Sequence, residues 1–382
     1  MTPDELWDRL RARAIEIHDE GNLQRRLRAG ERLRVKLGLD PTAPDIHVGH
    51  LVVLDMLRAF QDAGHTAVLI VGDFTALIGD PSGRSETRPV LSREQVDANA
   101  KTYFAQAYKV LDPELVEVRG NSEWLGGMTM VDVIRLLGTA TLQQVLQRED
   151  FASRLRGGHA IGAQEILYPF NQAYDSVAIK ADVEIGGTDQ LFNLLFGREV
   201  QRAYGLPPQD VAVFPLLEGL DGTQKMSKSL NNYIGIAEPP EEIYGKVMSL
   251  PDAMTPKYAR LLLDLGETAL PAHPRDAKAE VARRLVERLH GPAAAARAEA
   301  DFDSKFRKRE TPSEIEERTV SSAELVAAMV ELGLAASRGA ARRLAEQGGV
   351  RVAGEKVGAD ARLQNGDVLQ VGRRRFVRIH LG

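Results

Sequence analysis

Two short runs carry the residue types of phosphate chemistry. His47-Val-Gly-His50 sets two imidazoles three residues apart, on one face if the run is helical, where ring N–H groups can donate to phosphate or ribose oxygens. Gly49 between them removes a side chain, so a flat base can lie against the backbone. Lys225-Met-Ser-Lys-Ser229 follows the turn Leu220-Asp-Gly-Thr-Gln224 and puts two lysines and two hydroxyls on one loop. Such a loop can close on a triphosphate and stabilise a pyrophosphate leaving group. Taken singly, each run reads as ordinary surface: a pair of exposed histidines, or a solvated basic loop. Polar groups also gather in Leu37-Gly-Leu-Asp-Pro-Thr42, Asp73-Phe-Thr-Ala-Leu-Ile-Gly-Asp-Pro-Ser-Gly83, Tyr168-Pro-Phe-Asn-Gln-Ala-Tyr-Asp175 and Ile185-Gly-Gly-Thr-Asp-Gln190. Within the third of these, Tyr168, Gln172 and Asp175 share a helical face.

The elements that must position these groups are legible nearby. Arg34–Leu39 reads as a strand ending in the turn-rich Asp40-Pro-Thr-Ala-Pro-Asp45. A helix from about His47 to Ala63 follows, with Gly64 as its stop. Thr66–Val71 is a continuous apolar run, the mark of a strand buried on both faces. Strand, helix and strand in this order form a βαβ unit, the start of a Rossmann-like parallel sheet. Ligands of such sheets bind outside the carboxyl ends of the strands, where helix N-termini favour phosphate. Upstream, Leu6, Leu10 and Ile15 predict an amphipathic helix; downstream, Ser92 to about Leu155 favours helix, and Val183–Ile185 and Asp210–Phe214 read as strands.

The 382 residues are 43% hydrophobic and 27% charged, a globular balance with room for two or three domains. Cys is 0, which excludes disulfide scaffolds, thiol catalysis and Cys-ligated metal, and suits a reducing cytoplasm, the expected location. The first twenty residues are too charged for a secretory signal, and no run approaches a membrane span. The net charge of −5 is uneven: from Ser321 to Gly382, 10 Lys and Arg stand against 6 Asp and Glu. A basic terminal module on an acidic body points to a polyanion met at one end.

Together the His and Lys runs, about 175 residues apart in a chain that begins βαβ, resemble the HIGH and KMSKS signatures of class I aminoacyl-tRNA synthetases. With the other four runs in this order, the whole chain resembles the bacterial tyrosyl-tRNA synthetases. The resemblance implies that Asp80, Tyr168 and Gln172 hold the substrate's α-ammonium, Asp175 accepts from the phenol and Gln190 orients the carboxylate. It puts Gly187 and Asp189 at the ribose, with Asp40 and Gly49 beside the adenylate. Thr42, His47, His50, Lys225 and Lys228 would meet the ATP phosphates, and Arg84 and Arg88 would sit on a loop over pyrophosphate. One departure stands out. Many members carry Tyr two residues before Gly38, where this chain has Lys36, a pattern of one subgroup that leaves Asp175 as the principal phenol partner.

The implied activity is tyrosine–tRNA ligation: tyrosine and ATP give tyrosyl-adenylate and pyrophosphate, and the tyrosyl group passes to tRNA. ATP with Mg²⁺ enters as substrate, with no dedicated metal cage and no membrane or DNA partner. A homodimer is expected through the helical insertion around Thr129–Val145. Residues 1–230 read as the catalytic domain, 231–318 as a helical anticodon-region domain with linker, and 319–382 as a small α+β RNA-binding domain. In the last, Arg338, Arg342 and Arg343 line one helix face suited to RNA backbone, ahead of a β-hairpin pattern. Three rivals compete: a tryptophan-activating relative, a non-catalytic RNA-binding relative and a general nucleotidyltransferase. Intact His and Lys runs oppose the second, and the RNA module the third.

Overall fold

The structure, a computed structural model, describes residues 1–41, 45–81, 91–307, 315–372 and 375–382. It divides into two compact units, Met1–Glu299 and Ala300–Gly382.

The first unit is built on a six-stranded sheet of β1 (Glu16–His18), β2 (Arg34–Leu39), β3 (Thr66–Val71), β4 (Val116–Gly120), β5 (Val183–Gly187) and β6 (Asp210–Phe214), in the order β1-β6-β5-β2-β3-β4. All neighbours pair in parallel except β1, which runs antiparallel along β6. The chain therefore moves outward from β2 through β3 to β4, then returns to the other side of β2 with β5. That reversal opens a crevice between the carboxyl ends of β2 and β5. β2, β3, β5 and β6 occupy the predicted ranges, whereas β4 lies inside a stretch that reads as helix. Its residues, Val-Glu-Val-Arg-Gly, are only half-buried at the sheet's edge and lack a continuous apolar signal.

The helix Val48–Asp62 begins at the extended N-cap His47 and buries Leu51, Leu54, Met56, Leu57 and Phe60. Gly64, at φ +88°, ends it: the Gly64 N–H donates to the Gln61 carbonyl at 2.9 Å and the His65 N–H to that of Phe60 at 3.0 Å. Asp55 on the same helix is buried and clamped by Arg288, with Arg13 at 3.9 Å, so the helix is tied to the first and later helices as well as to the sheet. The first helix, Pro3–Arg13, stops short of Ile15, which is exposed; its N–H instead bonds the Val213 carbonyl. The helix Leu167–Ala178 carries Pro169 in its first turn, where a missing N–H is tolerated, and buries Phe170 and Ala173.

The second unit holds a five-stranded sheet of β7 (Glu316–Val320), β8 (Val350–Val352), β9 (Glu355–Lys356), β10 (Val368–Val371) and β11 (Arg375–Leu381), in the order β7-β11-β10-β8-β9. Helices Leu325–Glu331 and Arg338–Glu346 cover it, packing Leu325, Ala328, Met329, Ala341 and Ala345 against Leu369 and Ile379. β7 falls in the stretch expected to be linker. Four of its residues are exposed and charged or polar, and it becomes a strand by pairing in parallel with β11. The small unit thus begins before residue 319.

Candidate active site

Four parallel strands end at one cavity of about 680 Å³, the size of a small-molecule site. β2 delivers Asp40, β3 leads into Gly72 and Thr75, β5 into Gly187, Asp189 and Gln190, and β6 into Pro215, Leu216 and Leu217. The helix Val48–Asp62 presents His47, Gly49 and His50, the helix Leu167–Ala178 presents Tyr168, Gln172 and Asp175, and a loop brings Lys225 and Lys228. Asp80 completes the wall. Every expected cavity residue that is described lines this one space; Thr42, Arg84 and Arg88 lie outside the described residues.

Burial sets the chemistry of the groups. Asp175 is 3% exposed and accepts from Trp124 Nε1 at 2.8 Å and Asn121 Nδ2 at 3.3 Å. Burial pushes its carboxyl up to about 7, against the opposing pull of Lys36 and of those two donors. Asp40 accepts from Thr75 Oγ1 at 2.8 Å and Tyr168 OH at 2.9 Å, and burial, reinforced by the charge of Asp80, also raises it to about 7. A side chain on Gly72 would collide with the Asp40 carboxylate, so the glycine makes room for it. Asp80 accepts from Gln190 Nε2 at 2.8 Å and from Arg148 at 3.4 Å, and Gln190 in turn accepts from Asn193 at 3.0 Å.

The histidines stack with ring centroids 3.9 Å apart. Burial, with Lys228 nearby, drives His50 down to about 4, and burial also holds His47 well below its ordinary value, so both rings are neutral at pH 7. His50 Nδ1 lies 3.2 Å from the His47 backbone nitrogen and 3.3 Å from the His47 carbonyl; when that N–H donates to it, the His50 proton is on Nε2. The pair thus offers one ring donor from each imidazole and no positive charge. Cationic charge comes from the loop. Lys225 Nζ pairs with Asp189 at 3.0 Å, and Lys228 donates to the Asp45 carbonyl and is lowered to about 8 by burial. Both lysines hold protein oxygens that a phosphate can replace.

A family description, tRNA synthetases class I (W and Y), matches residues 28–307, and an S4 domain matches residues 325–369. The tyrosine–tRNA ligase of Thermotoga maritima is 48% identical across 100% of this chain and 99% of its own length; that of Moorella thermoacetica is 48% identical across 97% and 94%. The chain belongs to the tyrosine–tRNA ligase family. Among solved structures, the tyrosyl-tRNA synthetase from Archaeoglobus fulgidus, complexed with L-tyrosine, shares the fold at TM-score 0.62 and 24% identity, covering 78% of this chain and 100% of that one. The tryptophanyl-tRNA synthetase of Plasmodium falciparum shares it at TM-score 0.60 and 17% identity, over 78% of this chain and 88% of that one. The chain is therefore an aminoacyl-tRNA synthetase with a Rossmann-like catalytic sheet and an S4 RNA-binding module.

Against that membership, the groups missed in the sequence are those around the acceptors. Asn121 and Trp124 hold Asp175, Thr75 holds Asp40, and Arg148, 5% exposed, braces Asp80. Asn121 and Trp124 follow the strand that sequence periodicity passed over. In the S4 unit, Arg338, Arg342 and Arg343 are exposed, as the helical spacing predicts, while Ala341 and Ala345 face the core.

Proposed function

We propose that this chain activates L-tyrosine with ATP and transfers it to tRNA(Tyr). The observation that carries the reading is Asp175: a buried carboxylate, held from behind by Trp124 and Asn121, in the same cavity as the neutral histidine pair and two loop lysines. A hydrogen-bond acceptor placed in a buried wall suits a phenol and leaves an unpaired polar group with phenylalanine. Gln172, Tyr168 and Asp80 would surround the α-ammonium, and Gln190 would orient the carboxylate for in-line attack on the α-phosphate of ATP. His50 would donate from Nε2, and Lys225 and Lys228 would exchange Asp189 and the Asp45 carbonyl for phosphate oxygens, stabilising the departing pyrophosphate. Asp189, so released, would meet the ribose with Gly187. Thr42, Arg84 and Arg88 would add phosphate contacts. Mg²⁺ would arrive with ATP. Catalysis is by positioning and charge stabilisation, with no covalent enzyme intermediate.

Residues 1–230 would form the catalytic region, the helices that follow the anticodon-facing region, and the small unit, from β7 onward, the tRNA-gripping module, its arginines on RNA backbone. Lys36 supports membership of the subgroup with Lys-Leu-Gly-Leu-Asp-Pro before the histidine run. A homodimer through the insertion is supported by its apolar surface: Met130 and Val131 are 74% exposed, Ile134 62% and Leu142 56%. Ile134→Glu should shift the protein from dimer to monomer in sedimentation, and an unchanged mass would remove that face from the interface.

ATP–pyrophosphate exchange with each of the twenty amino acids, without tRNA, tests the activity. Exchange that requires tyrosine and ignores phenylalanine is the expected outcome. Exchange with tryptophan would assign the sister activity, and none from folded protein would leave an RNA-binding relative.

A further inference from the structure

Behind Gln172, away from the cavity's open space, lies a lysine that the reaction as described does not use. Lys36 in β2 is 0% exposed, and Glu184 in β5 is 1% exposed. Lys36 Nζ sits 2.9 Å from Glu184 Oε1 and donates to the Gln172 carbonyl and to Ser176 Oγ, both at 2.8 Å. An ammonium has three hydrogens, and these partners take all three, so Lys36 has none left for a substrate phenol. Glu184 also accepts from Ser176 at 3.2 Å, from Gln209, and from Gln172 Nε2 at 3.4 Å.

The last contact has a directional consequence. A carboxylate only accepts, so the Gln172 side chain must turn its NH₂ end toward Glu184. Its Oε1 is then left buried without a hydrogen-bond partner, on a residue that lines the cavity. An unpaired buried carbonyl oxygen calls for a donor, and a cation most of all. We propose that the Lys36–Glu184 pair is a positioning element for the amino-acid substrate: it fixes the Gln172 amide so that Oε1 accepts from the substrate's α-ammonium. Lys36 acts twice, holding the Gln172 backbone directly and the Glu184 carboxylate through the ion pair. A reversed amide would set Oε1 against the Glu184 carboxylate and NH₂ against the incoming ammonium, unfavourable at both ends.

The inference rests on the tyrosine-activation reading, and Glu184→Gln tests it. The new amide would accept from Lys36 and present its own NH₂ to Gln172, turning Gln172 over. In pyrophosphate exchange, the tyrosine KM should rise roughly 10- to 100-fold, the scale for a lost hydrogen bond to a charged group. The ATP KM and the kcat at saturating tyrosine should stay within about twofold, because the change is confined to substrate binding. Inhibition by 3-(4-hydroxyphenyl)propionic acid, which is tyrosine without its ammonium, should be unchanged. Lys36→Met should move tyrosine KM in the same direction, and Lys36→Met/Glu184→Gln, which removes both charges, serves where the single variant does not fold. A loss shared equally by tyrosine and the ammonium-free acid, or an unmoved tyrosine KM, overturns the inference. Failure of the parent protein to exchange with tyrosine would instead overturn the reading on which it rests.

Discussion

In the cavity, buried Asp175 and half-buried Asp40 and His50 are surrounded by neighbours drawn from separate strands and helices, whereas Arg338, Arg342 and Arg343 stand exposed on one nine-residue helix. Both regions serve a polyanionic substrate in the proposed reaction, yet they hold their polar groups in opposite ways. In the S4 unit the backbone supplies the arrangement, and each guanidinium keeps its hydration until RNA arrives, so its contribution is additive and sensitive to salt. In the cavity the arrangement is made by partners: Trp124 and Asn121 on Asp175, Thr75 and Tyr168 on Asp40, Arg148 and Gln190 on Asp80. Water has been replaced there by fixed dipoles, so a single lost group is felt strongly.

The sharpest way to break this contrast is Lys228→Ala. Adenylate formation should fall by ~10²–10³, the scale for one transition-state donor in a preorganised site, with tRNA affinity unchanged. An unchanged single-turnover rate would show that the loop lysine is no more committed than a surface one. Asp175→Asn should lower kcat/KM for tyrosine about 10²-fold, as expected when a charged acceptor is lost from a buried site. The same substitution should raise the melting temperature. Because the carboxyl is raised from 3.8 to about 7, the native state binds its proton more tightly than the unfolded chain, and stability declines as pH rises through that window. The gain from Asn should be a few degrees at pH 8 and fade as pH falls from 7 toward 4. A gain independent of pH would mean that packing, not charge, is responsible.

The activity of the unaltered protein should follow the same group. Tyrosine kcat/KM should drop as pH falls below about 7, where Asp175 and Asp40 take up protons. A flat profile down to pH 5 would remove both carboxylates from substrate binding. The smallest effect belongs to the exposed face. Replacing Arg338, Arg342 and Arg343 by Gln should weaken tRNA binding about tenfold and flatten its salt dependence, with pyrophosphate exchange untouched. Impaired exchange would show that the two regions are not separable.

Much of the scaffold was legible because its signals are local. β2 and β3 are short runs bounded by turn residues, and the helix between them is framed by an extended cap and Gly64. β4 and β7 were not legible, since half-buried or exposed strands at a sheet edge are made by their neighbours. Missing β4 also hid Asn121 and Trp124, the supports of the residue on which the functional reading turns.

What the sequence by itself determined is therefore the order of the chemical groups, the βαβ start that delivers them and the basic helix face of the S4 unit, because periods of two and 3.6 residues and turn chemistry act over a few positions. Only the tertiary structure decided the state of those groups: histidines neutral, Asp40 and Asp175 raised, Lys36 consumed by Glu184 and Gln172 with its oxygen turned free. Ionisation and amide orientation depend on desolvation and on partners from other elements, such as Thr75, 35 residues from Asp40, Trp124, 51 residues from Asp175, and Glu184, 12 residues from Gln172, and these exist only once the chain has folded.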